Sequence, residues 1–212
     1  MKTLGISASG RANRITHATV KAIVDLLDCD SEVVSLAGKK INGCIGCTLC
    51  APDAVCKQQD DWNAIGNKMV EADLIIFGAP NYYGTINALG HACLERTFSF
   101  RHQEIFSLKD KSGVIVTTTR QTKENDEVKM IIERFMHSNQ MSVIGHVQAQ
   151  GYDQCYTCGY GIDCSIGNVV KNHGYLETLE EKHYPPELVE QENTLQQVNQ
   201  IVKEINDKLE NL

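Results

Sequence analysis

Residues 73–84 read DLIIFGAPNYYG, an almost continuous apolar run that ends in a turn. A strand with so few polar residues is typical of a parallel sheet, because helices cover both of its faces. Shorter apolar segments before and after it alternate with segments of helical periodicity. The alternation predicts an α/β domain with a five-stranded parallel sheet and right-handed crossovers. The predicted strands are 2–7, 31–36, 73–79, 112–118 and 141–147, and the predicted helices are 14–28, 61–72, 85–98 and 123–139.

Three loops leave the carboxyl ends of predicted strands, where sheets of this kind bind ligands. They are residues 7–14, 80–85 and 118–123. In the first, the hydroxyls of Ser7, Ser9 and Thr16 and the N–H groups of the next helix predict an anion cradle. It has neither a Lys-Ser/Thr pair after a Gly-x4-Gly frame nor a G-x-G-x-x-G pattern, so a phosphate monoester such as that of FMN fits best. The alternative is a plain strand-to-helix turn with a serine cap.

Four cysteines lie within thirteen residues in the segment CIGCTLCAPDAVC, and their spacing is C-x2-C-x2-C-x5-C. They are Cys44, Cys47, Cys50 and Cys56. Closely spaced thiolates are the usual ligands of a [4Fe–4S] cluster. Zinc is the alternative, although its structural sites usually draw on two separated C-x2-C pairs. The glycines and the proline of this loop argue against ordinary buried thiols, and we predict a cluster site at residues 43–57.

The overall composition indicates an acidic chain of 212 residues with a net charge of −7. This charge argues against general binding to nucleic acid or to anionic membranes. The sequence has no run of about eighteen apolar residues, so no membrane span is predicted. Its first residues, MKTLGISASG, lack the apolar core of a signal peptide. We therefore expect a cytoplasmic protein. Thiols stay reduced in that compartment, so the nine cysteines indicate metal or redox chemistry instead of disulfides.

The segment APNYYGTIN at residues 79–87, followed by a helix that ends in Glu95-Arg96, carries a resemblance to a known family. It resembles the NAD(P)H-dependent FMN reductase branch of the flavodoxin-like families. The cysteine quartet after strand two narrows the resemblance to the iron–sulfur flavoproteins, over roughly residues 1–147. That resemblance implies a flavodoxin-like, doubly wound sheet of order 2-1-3-4-5. It also implies one FMN and one [4Fe–4S] cluster per subunit in a homo-oligomer, a dimer or tetramer.

The resemblance also implies roles for individual residues. The residues of the phosphate loop would be Ser7, Ser9, Arg11 and Thr16, and the loop beside the isoalloxazine ring would contain Pro80, Asn81, Tyr82, Tyr83 and Gly84. The third flavin loop would contain Thr118, Thr119 and Arg120. The cluster ligands would be Cys44, Cys47, Cys50 and Cys56. This chain departs from the family in having Gly10 where a proline is usual and in lacking paired glycines in its third loop. No catalytic residue is assigned, because electron transfer has no obligatory proton-transfer group.

The predicted function is electron transfer by an oxidoreductase-type flavoprotein that converts between two-electron and one-electron carriers. The expected partner is a ferredoxin-like or other low-potential redox protein. One alternative is an NAD(P)H-dependent FMN or quinone reductase with an accessory cluster. Another is a zinc-stabilised flavin-binding module without turnover. We expect residues 1–150 to form the FMN domain and residues 151–212 to form a cysteine-containing extension with a final helix.

The extension contains a second cysteine group, Cys155, Cys158 and Cys164, spaced C-x2-C-x5-C. The spacing favours a second metal site, with a second cluster ahead of zinc, over a redox dithiol or free thiols. The final helix carries an apolar seam formed by Leu195, Val198, Val202, Ile205, Leu209 and Leu212. This seam predicts either packing on the chain's own sheet or a subunit contact. The single tryptophan, Trp62, is expected in the core.

Overall fold

A computed structural model describes residues 1–122, 124 and 126–209. Its strands are β1 (Lys2–Ser7), β2 (Asp30–Ser35), β3 (Leu74–Tyr82), β4 (Thr85–Ile86), β5 (Ser112–Thr119) and β6 (Ser142–Gln150). Its helices are α1 (Ile15–Asp25), α2 (Trp62–Glu71), α3 (Ala88–Glu95), α4 (Glu127–Ser138), α5 (Asn168–His173) and α6 (Glu192–Leu209). The five long strands are parallel and lie in the order β2-β1-β3-β5-β6. The predicted flavodoxin-like order is therefore confirmed.

Helices cover both faces of the sheet, as the apolar strand β3 predicted. Phe77 packs with residues of α2, α3 and α4, whereas its neighbour Ile76 packs with residues of α1 and α6. Both side chains are fully buried. Because successive strand residues point to opposite faces, a strand buried on both sides needs apolar residues at every position.

The short strand β4 is additional to the five strands predicted from the sequence. Helix formation was predicted from residue 85, but Thr85 and Ile86 pair antiparallel with the end of β3. The two residues between the strands, Tyr83 and Gly84, have φ values of 57° and 78°. Positive φ at both central positions is the geometry of a type I′ hairpin turn, whose twist matches the flanking strands. The helix therefore starts three residues later, at Ala88.

The helix predicted at 123–139 begins instead at Glu127, and part of the predicted start, residues 123 and 125, lies outside the described residues. Asp126 explains this boundary. Its Oδ1 accepts hydrogen bonds from the backbone N–H groups of Val128 at 3.0 Å and Lys129 at 3.1 Å. These bonds satisfy two of the N–H groups that a helix leaves free in its first turn.

The final helix packs on its own sheet. Val198, Val202 and Ile205 are buried in the same apolar cluster as Ile23 of α1 and Val147 of β6. This arrangement matches the first of the two predicted uses of the apolar seam, whose last member, Leu212, lies outside the described residues. The seam therefore gives no support to a subunit contact.

Within the described chain, every helix is too short or too polar to cross a membrane.

Candidate functional site

A cleft of about 580 Å³ lies at the carboxyl ends of β1, β3 and β5. Eleven of the twelve residues that the resemblance assigns to flavin binding line this one cleft. They are Ser9, Arg11, Thr16, Pro80, Asn81, Tyr82, Tyr83, Gly84, Thr118, Thr119 and Arg120. Ser7 is the exception: as the last residue of β1 it is fully buried beneath the loop, and it is not part of the lining. The flavin contacts themselves stay a prediction.

The loop after β1 is organised around Ser9. The Ser9 hydroxyl accepts a hydrogen bond from the Arg11 backbone N–H at 3.1 Å and donates one to the Arg11 carbonyl at 3.0 Å. The first turn of α1 contributes Thr16, whose hydroxyl donates to Thr118 Oγ1 at 2.9 Å. These contacts join the first loop to the strand end that carries the third loop, so both sides of the cleft are fixed together.

Arg11 makes the cleft suited to an anion. Its Nε and Nη1 atoms are buried and have no hydrogen-bond partner within the described part of the chain. A buried donor without a partner costs about 1–3 kcal/mol of free energy, and the cost is larger when the group is charged. An anionic group such as a phosphate monoester would satisfy both nitrogens with charge-assisted hydrogen bonds. The residues present therefore fit the phosphate of FMN.

The extension after β6 supplies a wall that the sequence reading missed. Five of its residues line the cleft and were not predicted to do so, namely Gly151, Tyr152, Asp153, Gln154 and Asn168; the first loop and α1 add Arg14 and Ile15. Among these residues, Tyr152 forms hydrogen bonds with both Arg11 and Arg14. Its carbonyl accepts from Arg11 Nη2 at 3.0 Å, and its hydroxyl accepts from Arg14 Nη1 at 2.5 Å. A signal was available, because residues 151–154 directly follow the carboxyl end of a parallel strand, where ligands bind.

The end of β3 and the turn after it contribute two aromatic side chains, Tyr82 and Tyr83, to the lining of the cleft. Asn81 Oδ1 accepts from the Gly84 backbone N–H at 2.9 Å, which holds the hairpin turn closed. The same turn leaves Tyr83 fully exposed and Tyr82 about one-third exposed. Exposed aromatic rings beside a polar cleft offer stacking surfaces for a flat conjugated ring.

The four cysteines of the 43–57 loop line one small cavity together with Arg96, Phe98 and Ser99. Cys44 and Cys47 are exposed, Cys56 is half-buried, and Cys50 is buried. Across residues 1–122, 124 and 126–209, no three or more His, Cys, Asp or Glu side chains are already grouped as a metal-binding set. All nine cysteines are free thiols. The cluster therefore stays a prediction that rests on the shared cavity and on the chemistry of the four donors.

The Cys50 thiol is influenced by the other three cysteines of the loop. Burial raises its pKa, and the negative charges of Cys56, Cys47 and Cys44 raise it further. Its Sγ lies 3.0 Å from Nε2 of His102. Thiolates that line one cavity repel one another, and a bound cationic centre offsets that repulsion because it favours the deprotonated form of each thiol. The donor set thus suits a metal centre bound through thiolates.

Arg96 ties the cysteine loop to the core. Its Nε donates to Cys56 Sγ at 3.2 Å, and its Nη1 donates to Asp60 Oδ2 at 2.6 Å and to the Asn42 carbonyl at 3.0 Å. Nη2 is buried and has no partner among the residues described. The guanidinium lies 5.1 Å from the ring centroid of Trp62. A buried cation with an unused donor is suited to an anionic group such as a thiolate-ligated cluster.

Asp60 balances the charge of Arg96 inside the fold. Burial by itself raises the pKa of Asp60, but the hydrogen bonds from Arg96, Asn42 and Trp62 outweigh it and hold the pKa below its usual value. Trp62 lies in the core, as expected, and its Nε1 donates to the Cys93 carbonyl at 2.9 Å. The cysteine loop is thus attached to the apolar core through a buried ion pair and an aromatic ring.

Glu95 contacts the same loop. Its Oε2 accepts from the Cys44 backbone N–H at 3.3 Å, and its Oε1 lies 3.3 Å from Nδ1 of His91. The acidic–arginine pair at the end of α3, which was one basis of the family resemblance, therefore holds both ends of the cysteine quartet. The first cysteine is held through its backbone and the last through its sulfur.

The second cysteine group makes contacts within the extension. Cys155 Sγ accepts from the Asn168 backbone N–H at 3.3 Å, and Cys158 Sγ accepts from the Tyr160 backbone N–H at 3.4 Å. With Cys164 they form no ready-made metal-binding set in the described ranges. Their role as a second metal site stays a prediction.

Comparisons with known proteins give consistent results. Residues 1–151 match the family model described as NADPH-dependent FMN reductase. An iron–sulfur flavoprotein of Methanocaldococcus jannaschii is 34% identical over 151 residues, covering 68% of this chain and 76% of that protein. One from Methanosarcina thermophila is 29% identical over 150 residues, covering 68% and 78%. The crystal structure of RosB with bound 8-demethyl-8-formylriboflavin-5'-phosphate superimposes with a TM-score of 0.66 at 13% identity, covering 98% of this chain and 76% of that one. This last likeness shows the fold alone.

Proposed function

Because this chain belongs to the NADPH-dependent FMN reductase family, and within it to the iron–sulfur flavoproteins, we propose that it transfers electrons between FMN in the cleft and a [4Fe–4S] cluster on the cysteine loop. Flavin-based electron transfer is the activity that the family membership supports. The cluster, its ligands and the redox partner are the proposal. The observation that carries it is the single cleft that collects eleven residues of three separate loops around the unpaired nitrogens of Arg11.

We assign separate tasks to the two ends of the cleft. Ser9, Thr16 and Arg11 would hold the phosphate, and Tyr82 and Tyr83 would lie beside the isoalloxazine ring. Bound FMN supplies chemistry that accepts electrons in pairs and releases them singly, whereas a [4Fe–4S] cluster exchanges one electron at a time. The protein's part is to fix the geometry and to set the electrostatic surroundings of both groups.

The cluster site is proposed at Cys44, Cys47, Cys50 and Cys56, with Arg96 as their neighbour. Hydrogen bonds to the sulfurs and the net charge of the surroundings are main determinants of cluster potential. A buried guanidinium that donates to Cys56 Sγ at 3.2 Å withdraws electron density from the ligand. We therefore assign Arg96 the task of stabilising the reduced form of the cluster.

The boundary near residue 150 divides the chain in sequence, and we propose that it does not divide the flavin site. Residues 1–150 would carry the three flavin loops, and residues 151–168 would complete the cleft through Tyr152, Asp153 and Asn168. The extension is then part of the flavin-binding unit.

We propose that the cysteine loop also contacts other proteins, either a second copy of this chain in a dimer or tetramer or a ferredoxin-like carrier. Ile45 is 71% exposed, Leu49 60% and Val55 47%, and all three lie between or beside the proposed ligands. Exposed apolar side chains near a redox centre are suited to a protein contact.

The test is a set of single cysteine substitutions in protein purified without oxygen. We expect Cys47→Ser to lose most iron and sulfide while FMN stays bound, because the flavin loops leave other strand ends. Cys29→Ser, a substitution outside the loop, should keep both cofactors. Unchanged iron in all four quartet variants would sink the proposal.

The same preparations separate the proposal from the family's reductase activity. If NADPH alone bleaches the flavin rapidly and the cysteine variants keep that rate, the chain acts as an NADPH-dependent flavin reductase and the cluster is accessory. If only a one-electron donor reduces the wild type quickly, and the cysteine variants lose that reaction, the electron-transfer function stands.

A further inference from the structure

Tyr152 is the first residue beyond the segment that matches the family model, and it contacts two of the three arginines that line the cleft, Arg11 and Arg14. Its carbonyl accepts from Arg11 and its hydroxyl accepts from Arg14, as described above. Both guanidinium carbons also lie 5.6 Å from the centroid of its ring. The side chain is only 8% exposed, and its ring packs against Tyr156 and Tyr184 at centroid distances of 6.1 Å and 6.0 Å. Its position is therefore fixed by the extension.

Two positive charges thus lie against one ring, and neither Arg11 nor Arg14 forms an ion pair with an acidic side chain within the described residues. Two guanidinium groups repel each other, and the electron-rich face of the ring offsets part of that repulsion. The carbonyl and hydroxyl of Tyr152 use one nitrogen of each arginine. The Nε and Nη1 atoms of Arg11 remain buried and unpaired in the described structure. Arg11 is thus held in place before any ligand arrives with two donors left over, and the exposed Arg14 lies against the same ring.

We propose that Tyr152 is a positioning residue for the terminal phosphate of FMN. It holds Arg11 and Arg14 so that their free donors face one dianionic group, and it thereby selects the phosphorylated flavin over riboflavin. The inference rests on the proposed function, in which FMN occupies this cleft. Preorganised donors gain affinity because the protein does not have to order them at the moment of binding.

The proposal separates two ligands that differ only in the phosphate. Riboflavin has the same ring and ribityl chain as FMN but lacks the group that the arginines would bind. A residue that positions the arginines must therefore change FMN affinity and leave riboflavin affinity nearly unchanged. A residue that only forms the cleft wall must change both affinities equally.

The experiment titrates the full chain, freed of flavin, with FMN and with riboflavin and follows the quenching of flavin fluorescence. Tyr152→Leu removes the ring and the hydroxyl. We expect its Kd for FMN to rise roughly tenfold or more, which is the scale of a lost charge-assisted contact. Its Kd for riboflavin should change by less than about twofold. Tyr152→Phe keeps the ring with its two guanidinium contacts and removes only the hydrogen bond from Arg14 to the hydroxyl, so its FMN Kd should rise by a smaller factor.

Tyr156→Phe is the matched control. Tyr156 is a buried tyrosine of the same extension, and its hydroxyl contacts His173 and Asn172. Neither flavin should bind differently to this variant. Circular dichroism of each variant shows whether it is folded, and Tyr152→Phe keeps the test valid if Tyr152→Leu is not.

The outcomes distinguish this inference from the function on which it rests. Equal losses of FMN and riboflavin affinity in folded Tyr152→Leu would overturn the positioning role and leave FMN binding intact. Unchanged affinities for both flavins would overturn it as well. A wild-type chain that binds neither flavin would contradict the proposed function itself.

Discussion

Arg96 donates a hydrogen bond from Nε to Sγ of Cys56 over 3.2 Å, although the two residues are forty positions apart in the chain. The arginine side chain is fully buried, and its charge is balanced by Asp60 at 2.6 Å, whose side chain is 3% exposed. The last cysteine of the quartet is thus held by a charged group that belongs to the core. This contact links the stability of the fold to the geometry of the proposed cluster.

Replacing Arg96 should destabilise the chain strongly. Arg96→Gln leaves Asp60 buried without its partner, and we expect a loss of about 3–5 kcal/mol in the free energy of unfolding. Urea unfolding of the variant measures the loss. Adding Asp60→Asn should recover part of it, because the uncompensated charge is then removed. Lys21→Gln, which breaks an exposed pair with Asp25, should cost less than about 1 kcal/mol. Similar losses in the two single variants would contradict the buried-pair account.

Stability should depend on pH through His146. Burial lowers its pKa below the usual 6.5, and Lys129 lowers it further, while Asp126 and Glu133 offset part of the shift. Because the unfolded chain binds this proton more readily, the contribution of His146 is fully present above about pH 6.5 and is lost as the pH falls through the lower folded pKa. His146→Gln should therefore reduce the fall in the urea midpoint below pH 6.5.

The matched control for that measurement is His137→Gln, an exposed histidine in the last turn of α4. This substitution should leave the pH profile unchanged. Profiles of the His146→Gln variant and the wild type that run parallel from pH 8 to about pH 5 would count against the assignment.

A negative charge at Ser9 should expel the flavin. Ser9→Asp places a carboxylate where the hydroxyl now bonds the backbone of Arg11, so a bound phosphate would meet a like charge. We expect most of the FMN to be lost on purification, while riboflavin affinity falls much less. Ser142→Asp, an exposed position at the amino end of β6, is the control and should keep its flavin. Full FMN content in Ser9→Asp would place the phosphate elsewhere.

A charge on the cysteine loop should weaken protein association. Ile45 is 71% exposed beside the first proposed ligand, and Ile45→Lys should lower the oligomeric state or raise the dissociation constant in sedimentation experiments. Val189→Lys changes an apolar residue that is 81% exposed and lies outside the cysteine loop, and it should leave association unaffected. A wild type that sediments as a monomer with both cofactors bound would refute the oligomer.

The strands and the three loops that line the cleft were predictable because both follow from local patterns. An apolar segment buried on two faces has an unmistakable composition, and the small polar residues after it lie at the carboxyl end of the sheet by topology alone. The hairpin at Tyr83 and Gly84 was missed because a tyrosine is uncommon at positive φ, so the turn lacked its usual Asn-Gly signal.

Other parts of the site depend on long-range packing that no local pattern reports. The contact between Arg96 and Cys56 exists because the end of α3 lies below the cysteine loop. Tyr152 and Asn168 reach the cleft from an irregular extension with little periodicity. Residue type alone did not indicate a role for either residue at the cleft. The role of Tyr152 became visible only from the positions of Arg11 and Arg14 around it in the folded chain.

The most direct measurement is the flavin, iron, sulfide and zinc content of the full chain purified without oxygen. We predict one FMN for each chain and, at the cysteine quartet, about four irons, about four sulfides and no zinc. About eight irons would show that Cys155, Cys158 and Cys164 also contribute to a cluster. FMN accompanied by zinc and no iron would contradict electron transfer between FMN and a cluster, because the cysteine quartet would then be a structural site.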